Sequence, residues 1–272
     1  MMPQTISTEP LFECHDVCYS YPGRIPALAG VDIAIAQGER IALVGANGSG
    51  KSTLLSLLDG LLFPDKGVVQ YMGRDLTEAA FMDEAFSLEF RRSVGLIFQN
   101  PDVQLFCPTV REEIAFGPLQ LGVEESAVHA RMIGLVETLG IAHLLDRSPH
   151  QLSVGEKRKV SFASVLAIDP HVLLLDEPTA GLDPHTSTHL IEMLSAAADA
   201  GKTIITATHD LHIIEDIADK VYVFGQDRRM AGCGRPAEIL ADTALLQANN
   251  LIHRHARHAR DHRVMRTAPS GS

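Results

Sequence analysis

Three groups of residues in this 272-residue chain have the types and spacing to handle a phosphoryl group. The first is Gly45-Ala46-Asn47-Gly48-Ser49-Gly50-Lys51-Ser52, which fits the pattern G-x-x-x-x-G-K-S/T. Its glycines carry no Cβ, so backbone N–H groups can curl around phosphate oxygens. A helix starting at Lys51 points the positive end of its dipole at the same place. Lys51 is then expected to reach the outer phosphates of a nucleotide, and the Ser52 hydroxyl to hold Mg²⁺. The second group is Asp176-Glu177, at the end of the apolar run Val172-Leu173-Leu174-Leu175. The Asp176 carboxylate is expected beside the glycine loop as a Mg²⁺ ligand, with Glu177 one residue further on as a base orienting water. The third is Leu152-Ser153-Val154-Gly155-Glu156. Ser153 and Glu156 are spaced as a capping box, so a helix is expected to start here with its N-terminus free to face a phosphate. Lys157, Arg158 and Lys159 follow in the first turn, where cations oppose the helix dipole unless an anion or solvent offsets them.

These groups need rigid supports. Ile41-Ala42-Leu43-Val44 reads as a buried strand running into the glycine loop, residues 172–175 as a second, and Ile204-Ile205-Thr206-Ala207 as a third. Residues 51–62 have a helical pattern stopped by Pro64. Residues 11–44 read as short strands with turns at Tyr21-Pro22-Gly23 and Gln37-Gly38-Glu39. Further strands at 67–98 surround a polar, helical insert at 75–92. From 100 to 148 the pattern is helical, with turns at Pro101, Pro108 and Gly117-Pro118. Helices are expected at 153–168, 185–200 and 211–219, followed by a strand at 221–224. Buried strands alternating with helices imply an α/β fold with a mainly parallel sheet.

The composition, 46% hydrophobic, is ample for one large domain or a domain with a subdomain. A formal net charge of −11 argues against a uniformly basic nucleic-acid surface, and no nucleic-acid partner is expected. Cys14, Cys18, Cys107 and Cys233 are too few and scattered for a disulfide framework. Cys14, Val17 and Tyr19 fit a strand, so Cys14 is expected in the core rather than on a metal. No apolar run approaches the roughly 18 residues of a membrane span, and no signal peptide is evident.

The order and spacing of these elements over residues 10–240 resemble the ABC ATPases. The pentad at Leu152 is similar to that family's signature, usually Leu-Ser-Gly-Gly-Gln, with departures at Val154 and Glu156. Val154 cannot easily hold a positive φ and is expected in ordinary helix-entry geometry. The resemblance implies a P-loop NTPase of the ABC ATPase fold: a mainly parallel core sheet, an N-terminal antiparallel β subdomain and a helical subdomain at about 100–165, with 241–272 as a C-terminal segment. It implies ATP and Mg²⁺ as cofactors, with ATP held by Tyr21 (stacked on adenine), Gly45, Ala46, Asn47, Gly48, Ser49, Gly50, Lys51, Ser52 and Thr53. Ser153, Gly155, Glu156 and Asp183 are implied to contact ATP held by a partner subunit. Mg²⁺ is implied on Ser52, Gln99 and Asp176, and His209 on the γ-phosphate, so that Lys51, Gln99, Glu177 and His209 form the implied catalytic set. Two copies, or one copy and a paralogous ATPase, are implied to sandwich ATP head to tail. Integral membrane transport subunits are implied as partners, at the cytoplasmic face of the membrane.

The stretch from Phe98 to Phe106, followed by 109–118, looks like the energy-coupling-factor group, whose ATPases drive uptake of metal ions or vitamins. Phe98, Leu105, Phe106 and Phe116 are candidates to line the groove where such a subunit docks. His255, His258 and His262 share a face if the tail is helical and are candidate ligands for Ni²⁺, Co²⁺ or Zn²⁺. Arg254, Arg257, Arg260, Arg263 and Arg266 would oppose a cation there, and a solvated tail is the simpler expectation. Cobalt or nickel import is the favoured function; vitamin uptake and a soluble, non-transport ABC ATPase are the alternatives.

Overall fold

The computed structural model describes residues 10–252, so the tail histidines His255, His258 and His262 lie outside it. Among these residues the strands are β1 (Phe12–Tyr21), β2 (Ile25–Ile35), β3 (Arg40–Gly45), β4 (Lys66–Tyr71), β5 (Arg74–Asp75), β6 (Val94–Ile97), β7 (Val172–Asp176), β8 (Thr203–Thr208), β9 (Lys220–Phe224) and β10 (Met230–Gly234). The α-helices are α1 (Lys51–Leu58), α2 (Glu78–Phe81), α3 (Glu84–Ser93), α4 (Val110–Gln120), α5 (Glu125–Thr138), α6 (Val154–Leu166), α7 (Pro184–Asp199), α8 (Ile214–Ile217), α9 (Pro236–Ala241) and α10 (Thr243–Ala248).

Two sheets result. One is antiparallel, in the order β2-β1-β4-β5. The other runs β10-β9-β3-β8-β7-β6 and is parallel except for β10 at its edge. Ile41, Ala42, Leu43 and Val44 of β3, and Val172 through Leu175 of β7, have no exposed surface. Continuous apolar runs suit strands covered on both faces. The register pairs Val44 with Thr208, Gly45 with Phe224 and Asp176 with Ala207. The carboxyl ends of β3, β7 and β8 therefore lie side by side, and the loops that leave them share one edge. In open parallel sheets that edge is where ligands bind.

Helix α6 has apolar residues on two faces. Val160 and Ala163 pack with Val110, Ile114 and Val136 of α4 and α5, while Phe162 and Val165 pack with Leu173 and Leu175 of β7. The helix thus belongs to two cores at once, which explains why its sequence shows little amphipathic asymmetry.

Several elements differ from expectation. The first helix ends at Leu58, with Gly60 at φ 67, so glycine rather than Pro64 stops it. Gly117-Pro118 is not a turn but lies within α4. A Cβ on Gly117 would sit 3.0 Å from Ile168 Cδ1, so this glycine permits α4 to approach the end of α6. Met230–Gly234, α9 and α10 are additions beyond the expected elements; Ile239 and Leu246 pack against β9. β1 and β2, at 10 and 11 residues, are longer than the short strands expected. Cys14 is buried in the core, and burial pushes its thiol up to about 12.

Asp59, the C-cap of α1, is buried while Arg91 donates to its carbonyl at 3.0 Å and to its carboxylate at 3.3 Å. Burial outweighs that partner and raises the carboxyl to about 7. A raised acid contributes stability that is complete below the unfolded value near 3.8 and is lost as pH rises through 7. Asp59→Asn is therefore expected to gain stability relative to wild type between pH 5 and pH 8, by about 2 kcal/mol. Thermal unfolding of both proteins across that range measures it.

Candidate functional site

The glycine loop leaves β3 at Gly45 and enters α1 at Lys51. Gly50 has φ 107, and a Cβ there would run into the Ala27 carbonyl and Leu28, so only glycine fits. Lys51 is buried and donates to Gly45 O at 2.7 Å and Ala46 O at 3.2 Å, spanning the loop it follows. Burial lowers its pKa, opposed by Glu177 and then Asp176. The ammonium therefore lies within electrostatic reach of both carboxylates at the end of β7.

Asp176 Oδ1 is buried and has no hydrogen-bond partner among the described residues. Burial raises the carboxyl, and the neighbouring Ser52 hydroxyl draws it back down. Glu177 follows at φ 47, a left-handed conformation that is strained for a residue with a side chain. Its N–H donates to Ala207 O at 2.9 Å, extending the ladder to β8 past the strand end. Its carboxylate is 2.7 Å from His209 Nδ1 and accepts from Thr208 Oγ1 at 3.2 Å. The left-handed backbone thus comes with a side chain held at both oxygens.

A cavity of about 490 Å³ joins Asn47, Gly48, Gly50, Lys51, Ser52 and Thr53 to Tyr21, Gln99 and Glu177. Tyr21 is 3.2 Å through its hydroxyl from Thr53 Oγ1 and edge-on to Tyr19. His209 does not line this cavity; it reaches it through Glu177 and lines a neighbouring one with Thr179 and Gly181. Ser153, Gly155, Glu156 and Asp183 line neither. Ser153 caps α6: its hydroxyl and its N–H both donate to Glu156 Oε2, at 2.7 and 2.8 Å, and it accepts from Glu156 N at 3.3 Å. These bonds lower the Glu156 pKa. Val154 takes the first helical position, in the ordinary helix-entry geometry expected of a branched side chain, and is exposed. Asp183 caps α7, accepting from Thr186 N and Thr186 Oγ1 at 3.0 and 2.7 Å.

Two features of the site were not read from sequence. Arg158, one of the three cations that follow the capping box, is offset by neither solvent nor an external anion: it is buried, donating to Ala180 O at 3.0 Å and Phe98 O at 3.5 Å. Lys157 pairs with Asp102 at 2.6 Å. Two of the three cations that follow the capping box, Lys157 and Arg158, are thus bonded within the chain. Ile25, Pro26 and Arg228 also line the glycine-loop cavity. Arg228 comes from the β9–β10 turn, a segment with no motif to mark it.

A groove of about 390 Å³ lies beside Gln104, lined by Phe98, Phe106 and Phe116 together with Leu61 and Arg91. Phe106 and Phe116 are exposed, with ring centroids 4.9 Å apart and edge-on. Leu105 is buried in the helical core instead, because its side chain turns inward with Val110 and Ile114.

The family model described as ABC transporter matches residues 28–180, from β2 to just past Glu177. The chain belongs to the ABC transporter family. It is an ATP-binding ABC ATPase, with the fold of that family. The nickel import ATP-binding protein NikO of Rhodobacter capsulatus is 50% identical over 246 residues, covering 89% of this chain and 96% of that protein. The energy-coupling factor transporter ATP-binding protein EcfA of Methanothermobacter thermautotrophicus is 42% identical, covering 89% and 76%. The structure of cbiO1 from Clostridium perfringens, part of the ABC transporter complex cbiONQ, superposes with a TM-score of 0.72 at 34% identity, covering 89% and 95%.

In this ABC ATPase the signature's glutamate is a structural cap. Glu156→Ala is expected to cost about 1 kcal/mol of stability, because the Ser153 amide loses its partner, and Glu156→Gln less. Urea unfolding of the two variants gives the comparison.

Proposed function

We propose that this ABC ATPase hydrolyses ATP to drive membrane import of a divalent metal ion, nickel or cobalt, as one half of a head-to-tail ATPase dimer. The observation that carries the hydrolytic part is the single cavity shared by Lys51, Ser52, Gln99 and the His209-held Glu177. The 50% identity to a nickel import ATPase supports the cargo. Vitamin uptake by an energy-coupling transporter is the alternative that the uptake experiment below separates.

The residues fit Mg²⁺: Asp176 Oδ1 is a buried oxygen without a partner among the described residues, the Ser52 hydroxyl adjoins the same carboxylate, and Gln99 lines the adjoining cavity. Oxygen donors of this kind suit a hard dication. When bound, Mg²⁺ neutralises charge on the β- and γ-phosphates. The chain does the rest. Loop amides and the start of α1 cradle phosphate oxygens, with Lys51 adding a full positive charge. Tyr21 offers its ring to adenine. Glu177, fixed by His209 and Thr208, orients water for in-line attack. His209 stands one hydrogen bond behind Glu177, in the neighbouring cavity, and holds that carboxylate in place.

Ser153, Gly155, Glu156 and Asp183 do not line their own chain's cavity and are the residues proposed to act on a partner's ATP. Helix α6 offers its N-terminus to that anion, and the capping box keeps the Glu156 charge bonded to Ser153. Among the described residues no helix is long and apolar enough to cross a membrane. Work at the membrane's cytoplasmic face then requires a separate membrane subunit. The groove with the exposed Phe106–Phe116 pair is the surface offered to it.

Lys51→Ala and Glu177→Gln are each expected to lower ATP turnover by 10²-fold or more, measured as phosphate release. Glu177→Gln with ATP is expected to elute as a dimer in size-exclusion chromatography. Turnover near wild type in either variant removes the mechanism. Phe106→Asp is expected to abolish co-purification with co-expressed membrane subunits while ATP binding persists. Uptake of labelled Ni²⁺ and Co²⁺, with vitamins as the contrast, decides the cargo.

A further inference from the structure

The turn joining β9 to β10 contains a backbone position that favours glycine and carries arginine. Arg228 N donates to Gly225 O at 3.1 Å and Gly225 N to Arg229 O at 2.9 Å, closing a tight turn. Arg228 itself has φ 65. Glycine or asparagine relieves that conformation, whereas an arginine there is strained. Strain of this kind is kept where the surrounding structure has a use for it.

The use is suggested by where the side chain goes. Ala29 N–H donates to Arg228 O at 3.1 Å, which ties the turn to β2. The arginine then lines the ATP cavity together with Tyr21, Ile25 and Pro26. No hydrogen bond or ion pair to its guanidinium occurs among the described residues, and the adjacent Asp227 is engaged by Arg229 N at 3.2 Å. The phosphate end of the cavity has Lys51, Ser52 and the loop amides. The Tyr21 end offers an aromatic ring, two apolar side chains and this one unpaired cation.

We propose that Arg228 is a specificity-determining contact at the nucleoside end of the ATP site, its planar guanidinium held against the purine. The group is a donor only and suits both the acceptor edge and the π-face of a base. The assignment rests on the ATP-site reading above. It adds a residue from the far edge of the sheet to a pocket otherwise built from the glycine loop, α1, β1, β2, Gln99 and Glu177.

Arg228→Gly removes the strain and the side chain together, so stability and affinity separate. The melting temperature is expected to be unchanged or higher, while KM for ATP rises about three- to tenfold, with most of the loss in KM rather than kcat. Arg228→Lys recovers part of the affinity. Competition by inorganic tripolyphosphate, which has neither base nor ribose, is unaffected. A KM within twofold of wild type in Arg228→Gly overturns the proposal. So does a parallel weakening of tripolyphosphate, which moves the guanidinium to the phosphates, or a joint fall in melting temperature and affinity, which marks a structural role. Lys51→Ala run alongside separates the two readings. If it retains turnover, the ATP-site reading fails; if it loses turnover while Arg228→Gly behaves as wild type, only the Arg228 assignment fails.

Discussion

The parallel register of the central sheet is the constraint on which the site depends. Backbone hydrogen bonds pair β3 with β8, β8 with β7 and β7 with β6, residue by residue, with side chains that pack on both faces. A slip of one residue would turn every side chain of a strand to the opposite face. It would also carry Asp176 away from Ser52 and Glu177 away from His209. The carboxyl ends are level because the apolar runs that precede them are buried in one core. Burial is what makes the register costly to change, and the placement of Lys51, Asp176, Glu177 and His209 follows from it.

The second dependence runs through α6. One face closes the helical core with Val160 and Ala163, and the other lies on the sheet through Phe162 and Val165. Arg158 adds a polar tie from that helix to the carbonyls of Phe98 and Ala180, in the loops that carry Gln99 and lead from Glu177. Gln104 reinforces it, accepting from Phe98 N and donating to Ser161 O. The helix whose N-terminus presents Ser153 is thus bonded directly to the loops of its own chain's ATP cavity.

Much of this was legible in the sequence because the chemistry there is local. The glycine loop, Asp176-Glu177 after four buried residues and the Ser153–Glu156 capping box are short patterns whose residue types have few other uses. What escaped depends on partners far along the chain. Arg158 is indistinguishable from Lys157 and Lys159 until Ala180 O and Phe98 O are seen around it. Gly117-Pro118 has the composition of a turn, yet it lies in a helix, where the missing Cβ leaves room for Ile168. The strand Met-Ala-Gly-Cys-Gly, β10, lacks the branched side chains that mark strands, and only its pairing with β9 makes it one. The φ of Glu177 and of Arg228 left no trace in residue type; both are held by bonds to other strands.

The position of β3 has a consequence for how the molecule is made. This strand leads into the glycine loop, yet both its neighbours, β8 and β9, lie about 160 residues or more later in the chain. During synthesis the loop leaves the ribosome long before the strands that hold it. Contacts of such sequence separation form late, after a large loop has closed. Until residues up to Phe224 have emerged, β3 is an unpaired apolar strand, and ATP has no complete cradle through which to stabilise the nascent protein. The antiparallel sheet and the helical core, whose contacts are nearer in sequence, are free to form first, and the nucleotide site becomes whole only once β8 and β9 have paired with β3.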